Sequence, residues 1–345
     1  DVERSRGLGD VYKRQVLTGV TTSGTPHLGN YVGAIRPAIL ASQEDNVDAF
    51  FFLADYHSLI KIKDAAKVHE SLRTVAATWI ASGLNYEKVV FYRQSDIPEV
   101  LELNWILNTC CAKGLMNRAH AYKAAMQENS SKKEDPDHGI EMGLYCYPIL
   151  MAADILAFNA DLVPVGKDQL QHLEMTRDMA ERFNRRYKKL FHLPEALIDS
   201  NIALLTGLDG RKMSKSYSNT IPLFAPEKEL RKAIMRVLTN SLKPGEKKDT
   251  KDSPLYDIYA AFANREEKEA MAQAYAQGIA WGEIKEMVFQ KINGLLLPMR
   301  EHYEALMANP KKLDAILEHG QEKARSFTRP LLKEIKAATG LGSIS

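Results

Sequence analysis

A chain of 345 residues, 45% hydrophobic and 26% charged, can bury one large or two ordinary cores and carries no low-complexity tract. Its net charge of +2 excludes binding nucleic acid through a global basic field, so such a partner must be met by local patches. No apolar run approaches the roughly 18 residues of a membrane helix, and three cysteines (Cys110, Cys111, Cys146) are too few and wrongly spaced for a zinc site or a disulfide framework, which fits a reduced cytoplasm.

The first fifteen residues, "DVERSRGLGDVYKRQ", lack apolar periodicity and precede a clean strand. Within them "SRGLGDVYKRQ" looks like a translated sequencing adapter, so residues 1–15 read as foreign to the fold, with a disordered basic arm as the alternative. "VLTGV" is a short strand entering the Gly-rich turn "TTSGTPHLGN", and a helix is predicted over 31–42. The run "AFFFLADYHSLI" reads as a strand buried on both faces. A helix over 66–82, a strand at "KVVFYRQ", a helix over 99–114, a strand at "DLVPV" and a helix over 169–183 follow. Strands alternating with helices of this length imply an open parallel sheet with right-handed crossovers, an α/β Rossmann-like architecture that binds ligands at the carboxyl ends of its strands.

Residues 127–139, "QENSSKKEDPDHG", read as a mobile surface loop around a central proline. Residues 240–254 read similarly and carry Lys243, Lys247, Lys248 and Lys251. From 227 onward the periodicity is helical with no convincing strand. The expected organisation is therefore a tail (1–15), a Rossmann-like domain (16–222), an all-helical domain (223–325) and a C-terminal helix (326–345).

Two segments carry chemistry. "TSGTPHLGN" places a Gly-rich turn and a helix N-terminus at the sheet's carboxyl edge, where backbone N–H groups meet anions. It matches neither GxGxxG nor a Walker A loop, and alone it reads as an ordinary tight turn. "GLDGRKMSKSYSNTI" sets Lys212, Lys215, Ser214 and Ser216 around Met213; alone it reads as a solvated loop.

Together they resemble the class I aminoacyl-tRNA synthetases, with His27-Leu28-Gly29-Asn30 as the "HIGH" element and residues 212–216 as the "KMSKS" loop. "GNYVGAIRP", "ADYHSL", "YPILMAADIL" and "VPVGKDQLQHLEMTRDMAERFN" narrow the resemblance to the bacterial tryptophanyl-tRNA synthetases, over essentially everything after residue 15. The chain departs from that pattern at Thr21-Thr22-Ser23, where many members have Gln-Pro-Ser, and at Leu17, where an aromatic is frequent.

The resemblance implies attack of the tryptophan carboxylate on the α-phosphorus of ATP with Mg²⁺, then transfer to tRNA. Such chemistry needs positioning and stabilisation of developing negative charge rather than covalent help. It implies that His27 and Asn30 act at the α-phosphate and that Lys212 and Lys215 carry the leaving pyrophosphate's charge. Lys123 matches a family lysine directed at the triphosphate, or is a solvent-facing helix lysine. ATP contacts are implied for Thr21, Thr22, Ser23, Gly29, Asn30, Gly166, Lys167, Asp168 and Lys212 through Ser216. Tryptophan contacts are implied for Tyr147, Met151, Asp154, Val165, Gln169 and His57; no residue is assigned to a metal. A homodimer in the cytoplasm, with the helical part meeting the anticodon, completes the expectation.

Asp154 is the one acid in the apolar stretch "YPILMAADILAF". Burying it unpaired is costly, and no donor stands near it in sequence. It either caps a helix or pairs with a distant cation, or it accepts from the ligand; the indole N–H donates and never accepts. The resemblance selects the ligand. A phenol would want a second polar group where Met151 stands, which sets tyrosine–tRNA ligase second. An adenylate-forming ligase without an RNA partner is the remaining alternative, and the helical domain argues against it.

Overall fold

The computed structural model describes residues 13–22, 24–166, 169–198 and 204–342. Its first half alternates: β1 (Arg14–Val20), α1 (Leu28–Asn30), a π-turn over Tyr31–Ile35, α2 (Arg36–Ala41), β2 (Val47–Leu53), α3 (Asp55–Ser58) and α4 (Ala65–Ala81). Next come β3 (Val90–Arg93), a 3₁₀ turn at Gln94–Asp96, α5 (Pro98–Cys110), α6 (Lys113–Met116), α7 (His120–Ser131) and α8 (Met142–Leu156). β4 (Leu162–Pro164), α9 (Leu170–Arg186) and β5 (Glu195–Leu197) close the sheet. The strands are parallel in the order β3-β2-β1-β4-β5, so the winding reverses between β1 and β4. In such sheets ligands bind at that reversal.

Sequence and structure part at several boundaries. β1 begins at Arg14, which pairs with Val47, and Gln15 pairs with Asp48 while its N–H donates to Asp161 Oδ2 at 2.8 Å. The tail thus ends earlier than residue 15, because a strand ladder accepts any side chain that leaves its N–H groups free; residues 1–12 lie outside the described residues. The apolar run through β2 stops being a strand at Asp55, whose carboxylate accepts the N–H groups of Tyr56 and Ser95 and turns the chain into α3. β5 has three residues and no β-branched side chain, so only its pairing with β4 reveals it. The loop predicted over 127–139 begins inside α7, and its remainder is pinned: Asn129 Nδ2 donates to the carbonyls of Pro136 (3.0 Å) and His138 (2.8 Å).

The second half is helical: α10 (Glu227–Met235), α11 (Pro254–Ala260), α12 (Arg265–Ala276), α13 (Trp281–Ala308) and α14 (Pro310–Thr339). It has no separate core. Leu230, Ile258, Met271, Val288 and Leu317 join the same buried cluster as Val20, Phe51 and Trp79 on one face of the sheet. Leu17, Phe50 and Tyr92 pack on the other face with α5, α8, α9 and the end of α14. Arg36 Nη1 donates to the Ala261 carbonyl at 2.9 Å, tying α2 to the helical half.

The boundary expected at 325/326 falls inside α14, which runs unbroken through Gly320 and Pro330. Gly320 shows why. A Cβ there would lie 1.7 Å from the carbonyl oxygen of Phe91 in β3, so only glycine lets α14 seat on the sheet edge. Gly320→Ala is therefore expected to destabilise the fold by about 3 kcal/mol, the top of the usual overpacking range, because backbone yields less than a side chain. A thermal melt checks it; an unchanged midpoint would mean that α14 does not depend on this approach.

In the 240–254 segment Lys248 is not a surface cation. It is 3% exposed, and its Nζ donates to the carbonyls of Lys243 (3.0 Å) and Glu246 (3.1 Å). That lysine organises the loop from within, leaving Lys243, Lys247 and Lys251 exposed beside Glu246, Asp249 and Asp252.

Candidate active site

The HLGN segment is a reciprocal helix cap. His27 Nδ1 accepts from the Asn30 N–H at 3.3 Å, and Asn30 Oδ1 accepts from the His27 N–H at 3.1 Å. Because Nδ1 is an acceptor, the ring proton sits on Nε2. Burial, and secondarily the Lys215 ammonium, push the His27 pKa down to about 4, so the ring is neutral near pH 7. The π-turn over Tyr31–Ile35 follows directly; such turns are frequent at functional sites.

The KMSKS segment lies against this cap. The Gly29 N–H donates to Met213 Sδ at 3.3 Å, and Met213 is buried. Asn219 shapes the segment from behind: its Oδ1 accepts the Ser214 N–H at 2.8 Å, and its Nδ2 donates to Asp209 at 2.7 Å and to the Lys212 carbonyl at 3.1 Å. The Asn219 hydrogen bond, with help from Arg211, brings Asp209 down to about 2. Ser214 and Ser216 hydroxyls bond to each other at 2.8 Å. Lys212 and Lys215 are exposed. Lys215 Nζ reaches 3.3 Å from where a Cβ on Gly24 would stand, and the φ of +69° at Gly24 favours glycine there.

A cavity of about 590 Å³ opens beneath. Thr21, Gly24, Asn30, Gly166 and Lys215 line its upper part, at the β1/β4 reversal where the fold predicts a ligand. Thr22 departs from expectation: its side chain is turned inward and its hydroxyl donates to the Ala54 carbonyl at 3.4 Å, so it serves the turn rather than a ligand. Lys123 stands apart, exposed on α7 and outside the lining. Ser23, Lys167 and Asp168 lie outside the described residues.

Across the strand ends a second cluster forms. Val165 is buried at the end of β4, and Gln169 is exposed at the N-cap position of α9, bonding none of its N–H groups. Tyr147 Oη is 2.7 Å from His172 Nε2, and the Tyr147 ring meets His57 edge-on at 6.4 Å. Met151 is half-buried one turn before Asp154 on α8.

Asp154 is 2% exposed and does have protein donors. Gln94 Nε2 lies 2.8 Å from its Oδ1 and 2.9 Å from its Oδ2, and His57 Nε2 lies 2.9 Å from Oδ2. This corrects the expectation of a carboxylate paired by the ligand alone: the donors are distant in sequence, and β2 and β3 bring them to one edge. Burial pushes the Asp154 carboxyl above its ordinary range, while the hydrogen bonds from His57 and Gln94 pull it back. A carboxylate offers about four lone-pair directions, so these donors leave acceptor capacity for another N–H.

A reciprocally capped Gly-rich turn, a lysine loop packed on it and a buried acceptor thus gather at the carboxyl ends of one parallel sheet. Over residues 12–297 the chain matches the family of class I tRNA synthetases for tryptophan and tyrosine (W and Y). It is 56% identical to the tryptophan–tRNA ligase of Neisseria meningitidis, over 95% of this chain and 98% of that protein. This chain belongs to the tryptophan–tRNA ligase family. The ligase of Pseudomonas aeruginosa is 55% identical over 96% of this chain and 74% of that one. Among solved structures, the Campylobacter jejuni tryptophanyl-tRNA synthetase complexed with ADP and tryptophan superposes with a TM-score of 0.88 at 36% identity, covering 95% of this chain and all of that one. The archaeal synthetase of Aeropyrum pernix, 22% identical with a TM-score of 0.67, shares the fold.

For a ligase of this family, sequence reasoning missed Gln94, His172 and Asn219. Each is a buried polar side chain; His172 could be found as a polar residue on the apolar face of α9, whereas Gln94 and Asn219 stand among polar neighbours in turns and carry no such signal.

Proposed function

We propose that this chain activates L-tryptophan with ATP and transfers it to its tRNA. In the first step a tryptophan carboxylate oxygen attacks the α-phosphorus, and the bond to pyrophosphate breaks. In the second a terminal ribose hydroxyl of the tRNA attacks the aminoacyl carbonyl and AMP leaves. The observation that carries the reading is the packing of the KMSKS segment on the HLGN cap, Gly29 N–H to Met213 Sδ at 3.3 Å, beside a cavity that Asn30 and Lys215 line.

His27 donates from Nε2–H to the α-phosphate beside the N–H groups of the cap. Lys212 and Lys215 meet the β- and γ-phosphates. Mg²⁺ comes as part of the substrate on those phosphates; among the described residues no group of three acidic, histidine or cysteine side chains converges on a metal site. Gly166 lets the ribose approach the backbone. Gln169 and Tyr147 orient the amino group, Met151 and Val165 flank the ring, and Asp154 accepts the indole N–H.

The helical half meets the anticodon, with Lys243, Lys247 and Lys251 as outward charges for phosphate. The working species is a cytoplasmic homodimer with one tRNA spanning both subunits. Leu101 and Trp105 support the dimer: one turn apart on α5, with Trp105 71% exposed, they form an apolar stripe that a second copy would cover. Free Cys110, Cys111 and Cys146 suit a reducing compartment. Among the described residues no helix is long and apolar enough to cross a membrane.

Pyrophosphate exchange with each amino acid, then charging of purified tRNA, tests the reading. Tryptophan is expected to exceed phenylalanine by about 10⁴ or more, the selectivity of a site built on a buried hydrogen bond. Comparable exchange with tyrosine, or exchange without charging, would replace it with one of the two alternatives.

A further inference from the structure

Gln94 sits in the turn that ends β3, with no exposed surface. Its amide orientation is not free. Oε1 accepts the backbone N–H of Tyr56 at 3.1 Å, a group that can only donate. Nε2 is therefore turned toward Asp154, reaching both oxygens. Tyr56 is itself fixed, because the Asp55 carboxylate accepts its N–H at 3.0 Å and also takes the Ser95 N–H at 3.0 Å. The chain of constraints thus runs from two turns at adjacent strand ends into one carboxylate.

We propose that Gln94 is a positioning residue for amino-acid selectivity: it locks Asp154 as a hydrogen-bond acceptor, so that the site takes a ring N–H donor and refuses a ring that lacks one. The proposal rests on the reading of Asp154 as the indole acceptor. A protonated Asp154 would turn its O–H toward a group that is already a donor, which the amide lock opposes. Without the lock the buried carboxyl can pick up a proton or turn away. The groups facing it are His57 and Asp55 on α3, Gln94 after β3, and the buried Tyr92 on β3, whose phenol burial, and secondarily the Asp154 charge, hold well above its ordinary range.

Gln94→Met keeps length and removes the donor. It is expected to lower kcat/KM for tryptophan by about 10–100-fold, the usual cost of one hydrogen bond to a buried charge, with most of the change in KM. The benzothiophene analogue of tryptophan, which has no ring N–H, should lose far less, so selectivity between the two falls by a similar factor. The acid limb of tryptophan binding should move to higher pH, because the carboxyl has lost a stabilising donor.

Gln94→Glu gives the opposite sign. When protonated, the glutamic acid can still accept from Tyr56 and donate to Asp154, so its selectivity should recover as pH falls until Asp154 itself takes a proton. A Gln94→Met protein with a lowered melting temperature but unmoved selectivity and acid limb would make Gln94 mere packing. If that variant does not fold, a Gln94→Glu protein with no recovery at low pH overturns the proposal equally. Asp154→Ala separates the two levels. Unchanged selectivity there removes the indole reading itself, whereas collapsed selectivity there with none lost in Gln94→Met removes only the lock.

Discussion

Lys215→Ala is expected to slow tryptophan-dependent pyrophosphate exchange by about 10²–10³, the effect of removing one preorganised charge from a transition state. Tryptophan affinity measured without ATP should barely move. The structure separates the two: Lys215 overhangs Gly24 at the mouth of the cavity, while Asp154, His57 and Gln94 gather at the ends of β2 and β3. Met213 and Asn219 hold the loop independently of the lysine, so the substitution removes charge without unmaking the segment. A second consequence follows at His27. The Lys215 ammonium is the lesser of two causes holding that ring down at about 4. Removing it lets the His27 pKa rise toward its ordinary value, so protonation sets in at higher pH and the acid limb of exchange shifts upward. A fall in tryptophan binding equal to the fall in turnover would remove Lys215 from the phosphates.

Local signals were legible where one residue type answers one physical demand. The triple phenylalanine of β2 announces a strand buried on both faces, and H-x-x-N after a Gly-rich turn becomes the cap of α1. What escaped depends on distance in sequence. The pairing of Gln94 with Asp154 spans 60 residues, and that of His57 with Asp154 spans 97. No periodicity reports such a pair until the strand order is known. β5 escaped because three residues without alternation carry no pattern. The helical half looks separable because its periodicity is self-contained, yet its apolar stripes share one buried cluster with the sheet and with α2 and α4 of the first half. Gly320 could be seen in the sequence, but the carbonyl it approaches could not.

The largest effect is expected at Asp154. If it accepts the indole N–H, the benzothiophene analogue should be a poorer substrate than tryptophan by about 10⁴–10⁵, because the buried acceptor is left unpaired. Asp154→Ala should weaken tryptophan and leave the analogue no worse, so the ratio collapses. The structure adds a stability cost, since Gln94 Nε2 and the His57 ring lose their acceptor inside the protein. A lower melting temperature is thus expected alongside, and it does not by itself count against the ligand role. Asp154→Asn should be intermediate. Its oxygen can keep the Gln94 donor and still accept without the charge, while its NH₂ faces the His57 ring, which can accept it once the ring proton moves to Nδ1. The pH dependence has a definite sign. Burial raises the Asp154 pKa, so tryptophan binding should fail on acidification at a pH above that of an ordinary carboxylate. The analogue's weak binding should show no such limb. Measuring kcat/KM for both substrates against pH in all three proteins decides the matter. A selectivity ratio that survives Asp154→Ala in a folded protein would return the residue to a structural pair with His57 and Gln94.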